Sequence, residues 1–135
     1  MLYNLLAVAC GGAIGASLRY LVSVGFAYTL AVNNPFAPFP VSTLVINLVG
    51  CFLMGFLATM FSQMGPETAT WRSFATVGLL GGFTTLSTFG LETLQLFDQN
   101  ATGVAIINIA LTFIACFAGI ILGRMLANAV FPARL

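Results

Sequence analysis

The amino-acid sequence predicts an all-α integral membrane protein, with four transmembrane helices in a single domain of 135 residues. Hydrophobic residues make up 60% of the chain and charged residues only 5%, whereas about 25% of the residues in soluble domains are charged. Four apolar segments follow one another, each of about the 20 residues that a helix needs to cross a bilayer. The net charge of +1 and the absence of histidine exclude a basic surface for nucleic acid, and the chain is not expected to be an enzyme.

The spans are predicted from the polar and proline-rich stretches that separate them, and they cover residues 2–30, 41–61, 73–97 and 104–130. Two Asn and three Pro in AVNNPFAPFP end the first helix, while SQMGPETAT and DQNATG form the other two loops. Because these loops are short, consecutive helices are expected to be antiparallel, with both termini on the side of Arg72 and Arg134. So few positive charges give only a weak preference for one orientation in the membrane.

Small residues at helical spacing predict where the spans pack. Span one carries GxxxG at Gly11 and Gly15, and span four carries it at Gly119 and Gly123. Lipid provides no hydrophobic drive for helix association, so spans pair through small residues that let their backbones approach. We interpret these glycines as packing residues. The same interpretation applies to the three cysteines, which lie in different apolar segments: Cys10, Cys51 and Cys116.

Several polar side chains interrupt the apolar spans and indicate a hydrated path. Asn47 is an amide near the middle of span two, and Asn108, Thr112 and Cys116 recur every four residues along span four. Each could bond a neighbouring helix, but together amides and hydroxyls on separate helices are typical of an ion path. Such groups donate hydrogen bonds without a full positive charge, which suits a small anion that must leave again.

The two ionisable residues within spans, Arg19 and Glu92, leave two interpretations open. Intramembrane charges usually face a bundle interior or a water-filled cavity. Arg19 could instead extend towards the headgroups, and Glu92 could lie at the membrane interface near a helix end.

The stretch GLLGGFTTLSTFGLE (78–92) predicts that span three is broken at mid-membrane. Glycine pairs and threonines are poor helix formers, and broken spans commonly form ion sites from freed carbonyls and half-helix ends. Thr84 or Thr85 could cap the second half-helix. Carbonyls near residues 81–84 would then need a partner, which a monovalent cation could provide. Phe83 and Phe89 could face an anion with the positive edges of their rings.

Three motifs resemble the CrcB/Fluc family of fluoride channels: GGAIGASLRY (11–20), STLVINLVGCFLMG (42–55) and GLLGGFTTLSTFGLE. The resemblance covers all four spans in order. It implies passive export of fluoride across the inner membrane, which lowers cytoplasmic fluoride and gives fluoride resistance. It also implies a dual-topology homodimer, or a heterodimer with a paralogue, surrounded by lipid, with two pores at the subunit interface and a central structural Na⁺.

The resemblance also implies roles for individual residues, carried over by position in the motifs. Gly81 and Thr84 would supply the backbone carbonyls that bind Na⁺, and Arg19 would lie beside an aqueous vestibule. The pore would be lined by the residues that match the family's amide, ring, hydroxyl and polar-track positions: Asn47, Phe89, Ser87, Thr88, Asn108, Thr112 and Cys116. Glu92 matches the acid of the third motif, for which no role is assigned.

One pore position departs from the family pattern. The family's TTFSTF reads TTLSTF here, so Leu86 replaces the first phenylalanine of the pore pair. Leucine has no ring edge to offer an anion, and the stacked pair of ring sites is therefore not expected in its usual form.

Two other functions are consistent with four short helices. A small antiparallel drug or cation exporter would need an acidic residue in its first helix, but no Asp or Glu precedes Glu67. A non-transporting assembly subunit would use the small-residue faces to bind a larger membrane complex, and a break in span three would then have no purpose.

Overall fold

A computed structural model describes residues 1–30 and 38–131. Its regular secondary structure in these residues is helical, and it contains four helices long and apolar enough to cross a membrane, as predicted: Leu2–Thr29, Val41–Ser62, Pro66–Asp98 and Thr102–Val130. Most of the proline-rich AVNNPFAPFP segment, and Arg134, lie outside the described residues.

The four spans consist of six α-helices, one 3₁₀ turn and one π-helical segment. The α-helices are α1 (Leu2–Leu30), α2 (Val41–Ser62), α3 (Ala69–Arg72), α4 (Gly81–Phe83), α5 (Leu86–Asp98) and α6 (Thr102–Val130). A 3₁₀ turn over Pro66–Thr68 precedes α3, and a π-helical segment over Ser73–Leu80 joins α3 to α4.

Helical structure in the third span begins earlier than the sequence predicted, at Pro66 rather than Ser73. Proline has no N–H to leave unpaired and its φ angle suits the first helical position. The Thr68 hydroxyl also donates to the Gly65 carbonyl at 2.9 Å, which closes this first turn. Much of the predicted loop SQMGPETAT is therefore helical.

Span one packs in parallel with the first half of span three (residues 66–83) through glycines. A Cβ atom at Gly15 would collide with the backbone carbonyl of Leu79, and one at Gly11 would collide with that of Phe74. The GxxxG glycines of span one therefore bring two backbones into direct contact.

Span two packs in parallel with span four in the same way. A Cβ atom at Gly55 would collide with the Ile120 carbonyl, and one at Gly123 would collide with that of Phe52. Our interpretation of the GxxxG glycines as packing residues is confirmed. The two GxxxG faces are used within the chain.

A polar contact joins each pair of spans at the same end of the molecule. The Thr70 hydroxyl donates to Asn4 Oδ1 at 2.8 Å, and Gln63 Nε2 donates to Asn128 Oδ1 at 3.1 Å. These contacts place the start of α1 and the end of α6 on one side, next to the 63–70 connection.

Candidate functional site

The site forms where the third span leaves the helical conformation. Thr84 has φ −74° and ψ 157°, and Thr85 has φ −150° and ψ 116°. Both residues are therefore extended, between the end of α4 and the start of α5. An extended pair inside an apolar span leaves backbone N–H and C=O groups without intrahelical partners, which is costly unless other groups bond them.

The side chain of Asn47 forms hydrogen bonds with both the N–H and the C=O group of Thr85. The Thr85 N–H donates to Asn47 Oδ1 at 2.9 Å, and Asn47 Nδ2 donates to the Thr85 carbonyl at 3.0 Å. Both residues are buried. The amide therefore pairs with Thr85 as the peptide group of a neighbouring strand would, and span two fixes the position of the extended segment. The second N–H of the Asn47 amide is not needed for this pair.

Thr85 is the residue that caps α5. Its Oγ1 accepts from the Thr88 N–H at 3.1 Å and donates to Thr88 Oγ1 at 2.9 Å. Ser87 Oγ lies 3.2 Å from the same oxygen, at hydrogen-bonding distance. Of the two capping threonines that the sequence left open, Thr85 takes the role, while the Thr84 hydroxyl donates to the Leu80 carbonyl at 3.0 Å.

These bonds leave two particular carbonyls without their usual helical donors. In a continuous helix, the Gly81 carbonyl would accept from the Thr85 N–H and the Thr84 carbonyl from the Thr88 N–H. The first of these N–H groups donates to Asn47, and the second donates to the Thr85 side chain. Gly81 and Thr84 thus have carbonyls free of α-helical hydrogen bonds.

A cleft of about 190 Å³ lies between the extended segment and spans two and four. None of its lining residues carries a formal charge, and they offer amide, hydroxyl and thiol groups beside aromatic rings. These residues are Asn47, Cys51, Thr84, Thr85, Leu86, Phe89, Thr112, Phe113 and Cys116. The cleft is therefore suited to a small species that accepts hydrogen bonds.

The aromatic part of the cleft is formed by Phe89 and Phe113. Their ring centroids are 6.1 Å apart with an interplanar angle of 86°, an edge-to-face arrangement. Phe89 is buried, whereas Phe113 is 51% exposed. Leu86 lies at the open rim with 75% of its surface exposed. Within one chain, the ring beside Phe89 thus comes from span four and not from position 86.

Asn108 lies outside the cleft and uses its amide to hold α5 against α6. It is 1% exposed, and its Nδ2 donates to Thr93 Oγ1 at 2.9 Å. The Thr93 hydroxyl in turn donates to the Phe89 carbonyl at 2.7 Å, and the Thr112 hydroxyl lies 3.4 Å from Asn108 Oδ1. Of the predicted polar track in span four, Thr112 and Cys116 reach the cleft.

The remaining predicted site residues do not line the cleft. Ser87 and Thr88 are exposed, and their hydroxyls bond to Thr85. Arg19 is half-buried on α1. Glu92 lies on α5, and its Oε2 atom is buried without a hydrogen-bond partner among the described residues.

Three residues of the site were not among the predicted site residues. Phe113 and Cys51 line the cleft, and Thr93 receives the Asn108 amide. The spacing of Cys51 four residues after Asn47 placed it on the same face of span two. No sequence signal distinguishes Phe113 from the other phenylalanines.

Comparison with known proteins identifies the family. Residues 6–124 match the family described as CrcB-like protein, Camphor Resistance (CrcB). The chain is 40% identical over 127 residues to a Fluoride-specific ion channel FluC of Ruminiclostridium cellulolyticum, covering 94% of each chain. It is 41% identical over 129 residues to a protein of that name from Caulobacter vibrioides, covering 95% of this chain and 98% of the relative. A third such relative, from Shewanella amazonensis, is 42% identical over 125 residues and covers 91% of this chain and 94% of its own.

The chain therefore belongs to the CrcB family, as the three sequence motifs predicted. These relatives are named as ion channels, in line with the expectation that the chain is not an enzyme.

Proposed function

We propose that this CrcB-family chain is a passive fluoride channel of the inner membrane, which lets fluoride leave the cell down its gradient. The observation that carries the proposal is the uncharged cleft beside Thr84 and Thr85, which is lined by an amide, hydroxyls, thiols and two phenylalanine rings. The relatives at about 40% identity, all named as fluoride-specific channels, supply the identity of the anion.

The chemistry of the cleft suits brief binding of a small anion. Asn47 has one amide N–H beyond the one bonded to Thr85, and the thiols of Cys51 and Cys116 add weak donors. The edge of an aromatic ring carries the positive part of its quadrupole, so Phe89 and Phe113 can face an anion edge-on. Conduction needs binding that permits release, and the absence of a fixed positive charge among the lining residues favours release.

We further propose that two copies of the chain pair in opposite orientations, with the clefts at their interface. Leu86 and Phe113 form an apolar rim that is 75% and 51% exposed on the open side of the cleft. A second copy, or a paralogous chain, would cover this rim and complete the wall of each pore. Arg19 would lie at a vestibule, with Ser87 and Thr88 near the path.

The carbonyls of Gly81 and Thr84 fit the structural Na⁺ that the resemblance implies. Hard cations bind to oxygen ligands, and the N–H groups that would otherwise occupy these two carbonyls are bonded elsewhere. The ion would supply positive charge that satisfies freed carbonyls from both copies and holds the copies together. The residues of this chain fit that role through their backbone and need no carboxylate.

The same observations count against the two other functions. The GxxxG faces that an assembly subunit would offer to a larger complex are buried against backbone within the chain. A proton-coupled exporter would need an acid in its first helix, and the first acidic residue of the sequence is Glu67.

Ion efflux from liposomes tests the proposed function. We expect proteoliposomes loaded with fluoride to release it when a K⁺ ionophore clamps the voltage, and matched liposomes loaded with chloride to retain their anion. Empty liposomes are the control for leakage. Equal rates for both anions, or no release of fluoride, would contradict the proposal.

Thermal unfolding in detergent tests the cation site separately from transport. A ligand that binds only the folded state raises its stability with concentration, so the unfolding temperature should rise with Na⁺ at constant ionic strength. A choline salt is the control, since choline is too large for a site made of two pairs of carbonyls. Identical unfolding in both salts would exclude a Na⁺ site.

A further inference from the structure

Two cysteines from different spans meet in the wall of the cleft. Cys51 lies on α2 and Cys116 on α6, and both line the cleft. The two side chains are neighbours there, and both residues are free cysteines of intermediate exposure. The third cysteine, Cys10, is exposed on α1 and does not line the cleft.

The packing of α2 on α6 holds the two thiols together. Close to the two cysteines the helices approach each other through glycines, because a Cβ atom at Gly55 would collide with the Ile120 carbonyl, and one at Gly119 would lie 3.2 Å from the Leu48 carbonyl. These glycine contacts limit how far the two helices can separate or slide. The thiols are therefore pre-positioned as a pair, and little ordering is needed to bring them to one ligand.

We propose that Cys51 and Cys116 form a two-thiolate site for one soft divalent metal ion that accepts linear coordination, such as Hg(II). Thiolate sulfur selects soft metals, and each thiol must lose its proton to bind. The balanced step is Hg²⁺ plus two R–SH giving RS–Hg–SR and two H⁺, which pass to water. The product is neutral, so the apolar cleft gains no net charge, whereas a monovalent ion between two thiolates would leave one negative charge there.

Occupation of this site would also close the cleft. The metal would lie beside Asn47 and Thr112, which line the same cleft, and it would link two of the helices that form the wall. This blocking effect rests on the proposed channel function, whereas metal binding itself depends only on the geometry of the two cysteines.

Binding of Hg(II) to the purified protein tests the site. In a Cys10→Ser chain, we expect one Hg(II) per chain by mass spectrometry and release of two protons for each ion bound. The concentration of a competing monothiol that removes half of the bound metal should be roughly 10²–10⁴-fold higher than for the Cys10→Ser/Cys51→Ser and Cys10→Ser/Cys116→Ser chains, because two linked ligands act together. The Cys10→Ser chain needs no change at the cleft, so its stoichiometry remains informative if the double variants fold poorly.

Three results would overturn the proposal. They are two metal ions per Cys10→Ser chain, release of a single proton per ion, or linkage of two chains through the metal in a denaturing gel. Fluoride efflux provides a separate readout, and it should fall with Hg(II) in the Cys10→Ser chain and recover with a dithiol. Binding with the expected stoichiometry in a protein that shows no fluoride efflux would support the site and contradict the channel.

Discussion

The two halves of the third span are held in the protein by different kinds of contact, although one apolar segment encodes both. Residues 66–83 lie against α1 with backbone touching backbone at Gly11 and Gly15. The second half, α5, has several exposed apolar side chains, and amide hydrogen bonds join it to its neighbours alongside the buried Phe89 and Leu96.

The difference follows from what each half must do. Close contact between glycine-bearing faces maximises dispersion contacts and leaves no space between helices, which makes a rigid support. Hydrogen bonds from Asn47 and Asn108 instead fix α5 at two points, Thr85 and Thr93. Between those points, the ring of Phe89 is left on the cleft. Steric contact thus builds the scaffold, and directional polar contact positions the site.

The largest loss of stability is expected from removing the Asn47 amide, which fixes the extended segment at Thr84 and Thr85. Asn47→Ala leaves the N–H and C=O of Thr85 buried without partners, at about 1–3 kcal/mol for each group. We expect a large fall in the unfolding temperature in detergent. Asn128→Ala is the matched control, because that amide bonds Gln63 at an exposed position and its loss should cost less than about 0.5 kcal/mol. If the two substitutions lower the unfolding temperature equally, the Asn47 amide does not hold the extended segment more strongly than an exposed amide contact would.

The next largest loss of stability is expected from a methyl group added where α1 touches residues 66–83. In Gly15→Ala the added Cβ meets the backbone carbonyl of Leu79, which can yield only by moving a helix, so we expect a loss of about 1–3 kcal/mol. Gly25→Ala on the same helix has open space around its Cβ and should be neutral or slightly stabilising. If both variants unfold at the same temperature, the glycine contact does not support residues 66–83.

A smaller effect is expected from removing the cap of α5. Thr85→Ala deletes the acceptor for the Thr88 N–H and should cost about 1 kcal/mol. Thr85→Ser keeps the hydroxyl and should retain most of the stability. Hydrogen exchange at the Thr88 amide, measured by NMR, should accelerate in the alanine variant alone; unchanged protection there would show that the cap is not needed.

The smallest effect on stability, but a distinct effect on transport, is expected at the rim. Leu86 is 75% exposed, so Leu86→Phe should change the free energy of unfolding by less than about 0.5 kcal/mol. A second ring edge beside the cleft should accelerate fluoride efflux from liposomes. Leu91→Phe adds the same ring to an exposed position of α5 that does not line the cleft. An equal acceleration in both variants would show that position 86 has no special role.

The sequence by itself determined the four spans, the packing glycines and the family. These features depend on local composition and on spacing along one helix: a span must be apolar over its length, and a small residue must recur every four positions to form a face. The glycines and threonines at residues 81–85 also indicated where the helix of span three would be interrupted, because glycine and threonine are poor helix formers.

Only the tertiary structure decided how the polar residues are used. Asn47 and Asn108 are the same residue type in similar apolar surroundings, yet Asn47 borders the cleft and Asn108 is enclosed between α5 and α6. Likewise, the sequence gives no reason for Phe113 to meet Phe89, or for Cys51 to meet Cys116. Which side chain a polar or aromatic group faces depends on the rotation of one packed helix against another, and the glycine contacts between distant segments fix that rotation.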